Sequence, residues 1–170
     1  MQRNRLAGVL AALVSTLATA AQAQPTDIDA LLAGMTVEQN IGQLSQVPGG
    51  RGKALNSLLD ETARERVRKG LVGSYLHVAG AEFLGEVQRI AVEESPHGIP
   101  LLFAMDVVHG YRTLFPVPIA MASTWNPATV EEMARVSAVE ASAAGLHWTF
   151  APMIDIARDA RWGRIVEGAG

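Results

Sequence analysis

Short apolar runs alternate along this chain with stretches whose apolar residues recur at helical spacing. Three runs predict strands: Leu71–Val78, Ile99–Met105 and Leu146–Ile154. The second is continuously apolar, enters through Pro100 and closes at Asp106, a pattern that predicts burial on both faces as in a parallel sheet. Between the runs, residues 81–95 place Phe83, Leu84, Val87 and Ile90 on one face and predict an amphipathic helix. Asn126-Pro127 predicts another helix, with Asn as cap and Pro in the first turn. It should run to Ala144, present Val130, Met133, Ala134, Ser137 and Ala141 to a sheet, and stop at Gly145. Upstream, Ile28–Met35 reads as a short helix. Thr36 with Gln39 has capping-box spacing for a second, which carries Val37, Ile41 and Leu44 on one face and ends before Pro48-Gly49-Gly50. Residues 54–69 predict a further helix that stops at Gly70. The closely spaced prolines in Phe115-Pro116-Val117-Pro118 argue against a helix or a central strand there.

Strands alternating with helices define an α/β protein with a parallel sheet, about three strands with crossover helices. In a barrel of this kind the C-terminal strand ends form the active face. Asp106 leaves one such end. The segment Phe150–Gly168 leaves the next; it opens apolar and ends polar, with Arg158, Asp159, Arg161 and Arg164 within seven positions. Guanidinium forks donate and carboxylates accept, so a mixture of the two on one loop suits a ligand with many hydroxyls. The plainer alternative is a loop whose ion pairs satisfy one another.

Composition narrows the class. Apolar residues make up 49% of 170 and charged residues 18%, the balance of a globular chain. The formal net charge of −3, without basic runs, argues against nucleic acid as partner. Without cysteine there is no disulfide framework or thiolate metal site, and His77, His97, His109 and His147 show no close ligand spacing. No cofactor is implied. A metal hydrolase built on Asp106, His109 and His77 is the weakest alternative, because its ligand set is incomplete. Residues 1–23 have the pattern of a signal peptide: Arg3 and Arg5, an apolar run Leu6–Leu17 too short to span a bilayer, and the small-x-small site Ala21-Gln22-Ala23. Its removal would lower the net charge by two and leave a periplasmic or secreted protein with no membrane partner.

The stretches IPLLFAMDVVHGYRTLFPVPIAMASTWNP and FAPMIDIARDARWGRIVEGAG, with MTVEQNIGQL at 35–44, resemble the N-terminal barrel of glycoside hydrolase family 3, in its periplasmic β-glucosidase branch. The resemblance covers about residues 30–170 and assigns 24–170 to that domain. It implies a retaining, exo-acting β-glucosidase that removes terminal β-linked glucose from oligosaccharides or glucosides. It also implies that Asp106, in the family's D-x-x-HG motif, and Arg164, the last arginine of RWGR, hold sugar hydroxyls of a small-molecule substrate. Contacts of that kind strengthen as the ring flattens toward an oxocarbenium-like state. The sequence departs from the family at Ala160, where proline is usual. The sequence after Asp106 is similar to the glucosidase or xylosidase branch rather than to the β-N-acetylglucosaminidases, which have D-x-E-GG there.

In the family the nucleophilic aspartate and the acid/base glutamate lie beyond the point matching Gly170, so the resemblance assigns no catalytic residue within this chain. Residues 24–170 fall short of the ~250 that an eight-stranded barrel uses. The sequence therefore reads as an N-terminal fragment, inactive by itself. Asp155 reads as a buried structural acceptor, and Trp162 as packing for the loop. A stand-alone, non-catalytic sugar-binding piece and a β-xylosidase of the same family are the alternatives.

Overall fold

The computed structural model describes residues 27–49 and 60–170. The expected signal peptide at 1–23 and the first part of the helix expected over 54–69 lie outside the described residues. In chain order the elements are α1 (Ile28–Gly34), α2 (Val37–Leu44), β1 (Gln46–Pro48), α3 (Glu61–Arg68), β2 (Ser74–Leu76), α4 (Ala81–Arg89), a π-helical turn (Ile90–Glu94), β3 (Leu102–Met105), α5 (Pro118–Ala122), α6 (Pro127–Ala143), β4 (Trp148–Thr149) and a 3₁₀ turn (Ile165–Glu167). The four strands form one parallel sheet in the order β1-β2-β3-β4. Parallel neighbours need long crossovers, which α3, α4 and α6 supply.

Local chemistry accounts for the helix starts. Thr36 Oγ1 accepts from Gln39 N while Gln39 Oε1 accepts from Thr36 N, which completes the expected capping box of α2. Asp60 caps α3 through Ala63 N, and Asn126 caps α6 ahead of Pro127. α2 packs tightly against the start of β2: a Cβ at Gly73 would lie 2.2 Å from the Gln43 carbonyl oxygen, so only glycine fits there.

The core lies between β2 and β3 and their crossover helices. Tyr75, Phe103, Val67, Val72, Val78, Val87 and Ile90 are fully enclosed, and Leu84, Leu101 and Met105 pack with them. Buried apolar area of this kind is the main driving force for the fold, at roughly 25 cal/mol per Å².

The structure corrects several expectations. Among the described residues there are four strands where about three were expected. β1 escapes the pattern because Gln46-Val47-Pro48 holds a single branched apolar residue and ends in proline. The three expected strands hold, but with fewer paired residues, since an apolar run marks burial rather than the length of a hydrogen-bonded ladder. Leu102 is half-exposed, so β3 is not covered on both faces along its length. The α2 stripe of Val37, Ile41 and Leu44 is exposed, as are Phe150, Ile154 and Ile156. α2 leads into β1 and residues 150–156 follow β4. These are the edge strands, each with one strand neighbour among the described residues. Proline does not exclude a helix after Phe115: Pro118 occupies the first turn of α5, where no N–H is needed.

Candidate active site

β3 ends at Met105, in register with Thr149 of β4, and Asp106 is the next residue. The backbone N–H of Val107 donates to Thr149 Oγ1 at 3.1 Å, which fastens the strand end to its neighbour. The Asp106 carboxylate is half-exposed, and its Oδ2 lies 2.9 Å from His77 Nε2 at the end of β2. The loop beyond it is closed by His109, whose Nδ1–H donates to the Phe115 carbonyl at 2.9 Å while Phe115 N donates to the His109 carbonyl at 2.8 Å. Glu140 of α6 accepts from Arg112 N, Thr113 N and Thr113 Oγ1, at 2.8, 2.8 and 2.6 Å. These bonds hold its carboxyl below the usual carboxylate range, the Thr113 hydroxyl contributing most.

The loop after β4 divides its charged residues. Arg161 and Asp159 face each other, with Nε 2.9 Å from Oδ1 and Nη2 2.5 Å from Oδ2, and the arginine is almost fully exposed. For that pair the plainer reading, mutual satisfaction, is what the structure shows. Arg164 is held differently. Its Nε and Nη2 bind the two oxygens of Glu167 at 2.9 and 2.6 Å, and Nη2 lies 3.9 Å from Met153 Sδ. Arg164 holds its proton more tightly than an ordinary guanidinium, first through Glu167 and in smaller part through the carboxylates of Asp106 and Asp155. Asp106 follows the C-terminal end of β3, and the loop that carries Arg164 follows the same end of its parallel neighbour β4. Met153 pairs with Gly168 in a parallel bridge and returns the loop to that end. Asp155 is exposed rather than buried. Trp162 is partly buried in the loop.

All four histidines make hydrogen bonds. His97 Nε2 lies 2.9 Å from Gln39 Oε1, and His147 Nδ1 accepts from Phe103 N at 3.3 Å. Among the described residues no group of three or more His, Asp and Glu is arranged to hold a metal ion. No helix among them is long and apolar enough to cross a membrane. An apolar cavity of about 340 Å³ lies between α6 and the loops after β3 and β4, against Val107, Phe115, Met133, Leu146 and Pro152, but neither Asp106 nor Arg164 lines it. Two residues that the sequence did not single out bear on the site, Glu167 and Glu140; His77, expected beside Asp106 only as a weak metal-ligand candidate, is its hydrogen-bond partner. A helical i,i+3 spacing hinted at the first. Nothing local hinted at the second, which acts across 27 residues.

The chain belongs to glycosyl hydrolase family 3. The family's N-terminal domain, described as "Glycosyl hydrolase family 3 N terminal domain", matches residues 36–169. The chain is 40% identical over 149 residues to the periplasmic β-glucosidase of Salmonella typhimurium, covering 88% of this chain and 19% of that protein. A β-xylosidase of Formosa agariphila is 38% identical over 78 residues, 45% of this chain and 10% of the relative. Among solved structures, the β-glucosidase of Listeria innocua in complex with isofagomine superposes with a TM-score of 0.71 at 36% identity, covering 86% of this chain and 20% of that one. The same enzyme has been solved with glucose and, as a mutant, with laminaribiose. The chain spans about a fifth of the length of the β-glucosidases it matches. The expected class therefore stands: α/β, with parallel strands and crossover helices of a barrel-type domain.

Proposed function

We propose that this chain forms the first part of a retaining, exo-acting β-glucosidase, in which Asp106 and Arg164 hold hydroxyls of the terminal glucose. The observation that supports the reading is that an acceptor, Asp106, directly follows β3 and the loop carrying a donor, Arg164, follows its parallel neighbour β4. Asp106 accepts from neighbouring hydroxyls and Arg164 donates back to the same ring. Such contacts assist catalysis because they tighten as charge develops on the ring. The nucleophile and the acid/base belong to sequence beyond Gly170 in this reading, and residues 24–170 are the first segment of the barrel domain. The partner is a small β-glucoside or oligosaccharide. Export to the periplasm is proposed from residues 1–23 and agrees with the name of the Salmonella relative.

The test is release of nitrophenol from p-nitrophenyl β-glucoside by the complete enzyme, compared with Arg164→Ala. Activity in the parent and a loss of about 100-fold or more in the variant are expected; full activity in the variant ends the assignment. The similarity to a β-xylosidase supports a second reading, in which the matching xyloside is cleaved faster.

A further inference from the structure

Resting on the β-glucosidase reading, we propose that His77 is a positioning residue for Asp106. It would fix the carboxylate by a hydrogen bond from Nε2 and leave the other oxygen for the sugar.

Three observations carry this. His77 is the first residue beyond β2, and its backbone N–H donates to the Ala104 carbonyl of β3 at 2.8 Å, so its backbone is anchored to the strand that delivers Asp106. It adopts φ +60°, and among the described residues only Trp125 shares the left-handed region without being glycine. That conformation is unfavourable for a residue with a Cβ and persists where the surroundings determine it. Here it comes with a side chain that meets Asp106 Oδ2 at 2.9 Å. Finally, both side chains stay about half-exposed, 47% and 50%, and no other side chain among the described residues hydrogen-bonds the Asp106 carboxylate. A half-exposed aspartate held by a side chain at one oxygen only has its second oxygen without a side-chain partner among the described residues, and a hydroxyl can bind there.

For Nε2 to donate, the ring carries its proton on that nitrogen. The role requires neither a charge on the imidazole nor contact with the sugar. Without the donor, the carboxylate rotates among its rotamers and spends less time in the geometry that a ring pair of hydroxyls requires.

The experiment uses the complete enzyme. His77→Gly removes the imidazole without straining the left-handed backbone, and His77→Gln supplies an amide N–H at about the reach of Nε2. The first should lower kcat/KM for p-nitrophenyl β-glucoside roughly 10- to 100-fold, and the second should recover most of it. His77→Gly added to Asp106→Ala should cost no more than about twofold further, because a group acting only through Asp106 has nothing left to act on. Wild-type kcat/KM in His77→Gly, no recovery in a folded His77→Gln, or a full additional loss in the double variant would each overturn the proposal while leaving the β-glucosidase reading intact. A parent enzyme without β-glycosidase activity would overturn both.

Discussion

Glu167 grips Arg164 by two hydrogen bonds, Oε1 to Nε and Oε2 to Nη2, and leaves Nη1 as the end of the guanidinium turned away from the pair. A bidentate grip sets the plane of the arginine as well as its position. Arg164 lowers the affinity of Glu167 for its proton, so the pair is fully formed above the ordinary carboxylate pKa, about 4.3, and is lost as pH falls through the lowered value. Glu167→Gln should keep the fold and lower kcat/KM of the complete enzyme about 10-fold, chiefly through KM. Steady-state kinetics of that variant check this, and an unchanged KM would separate Glu167 from the site.

Glu140 plays the corresponding part for the loop after β3, by tying Arg112 and Thr113 to α6. Its carboxyl is held below the usual range, so this tie is complete above that range and fails as pH drops through it. Glu140→Ala should therefore make the 107–116 segment cleave several-fold faster in limited proteolysis at pH 7. The parent should approach the variant only once pH has fallen below the usual carboxylate range. Equal cleavage rates at neutral pH would contradict the tether.

The same loop turns at Gly110, at φ +116°, where a Cβ would lie 1.9 Å from the Thr113 carbonyl oxygen. Gly110→Ala combines an unfavourable backbone region with a clash against main chain that cannot swing aside. A fall of several degrees in the Tm of the complete enzyme is expected, with loss of activity. A variant that melts with the parent would show that the loop has another conformation to adopt.

Expressed alone, residues 24–170 should fold poorly. Leu44 and Ile154 are 89% and 88% exposed, and β1 and β4 each have a free edge among the described residues. Uncovered apolar side chains beside unpaired strand edges promote association. Size-exclusion chromatography and a thermal melt check this; a monomer with a sharp cooperative transition would contradict it.

What could be read from the sequence follows from how far each signal travels along the chain. The capping box at Thr36 and the Asn126-Pro127 start depend on residues within a turn, and both appear as expected. The place of Asp106 after an apolar strand is equally local. The Arg164 grip was half legible, since its partner stands three residues on but the sequence does not say that loop turns into a helix. His77 was visible only as a member of an incomplete metal-ligand set with Asp106 and His109. Its pairing with Asp106 depends on sheet register across 29 residues, which no periodicity encodes. β1 was missed because three residues with one β-branched side chain make no pattern. The exposure of Phe150, Ile154 and Ile156 was not foreseen because apolarity reports what a segment is suited to bury, not whether a neighbour is there to cover it.

The sheet sets its strands side by side in the same order in which the ribosome makes them. Each new strand is therefore added to the rim that its predecessor has just formed, and none must slip between two already joined. A chain built this way can grow by appending a further strand and helix at its late edge without disturbing the pairings behind it.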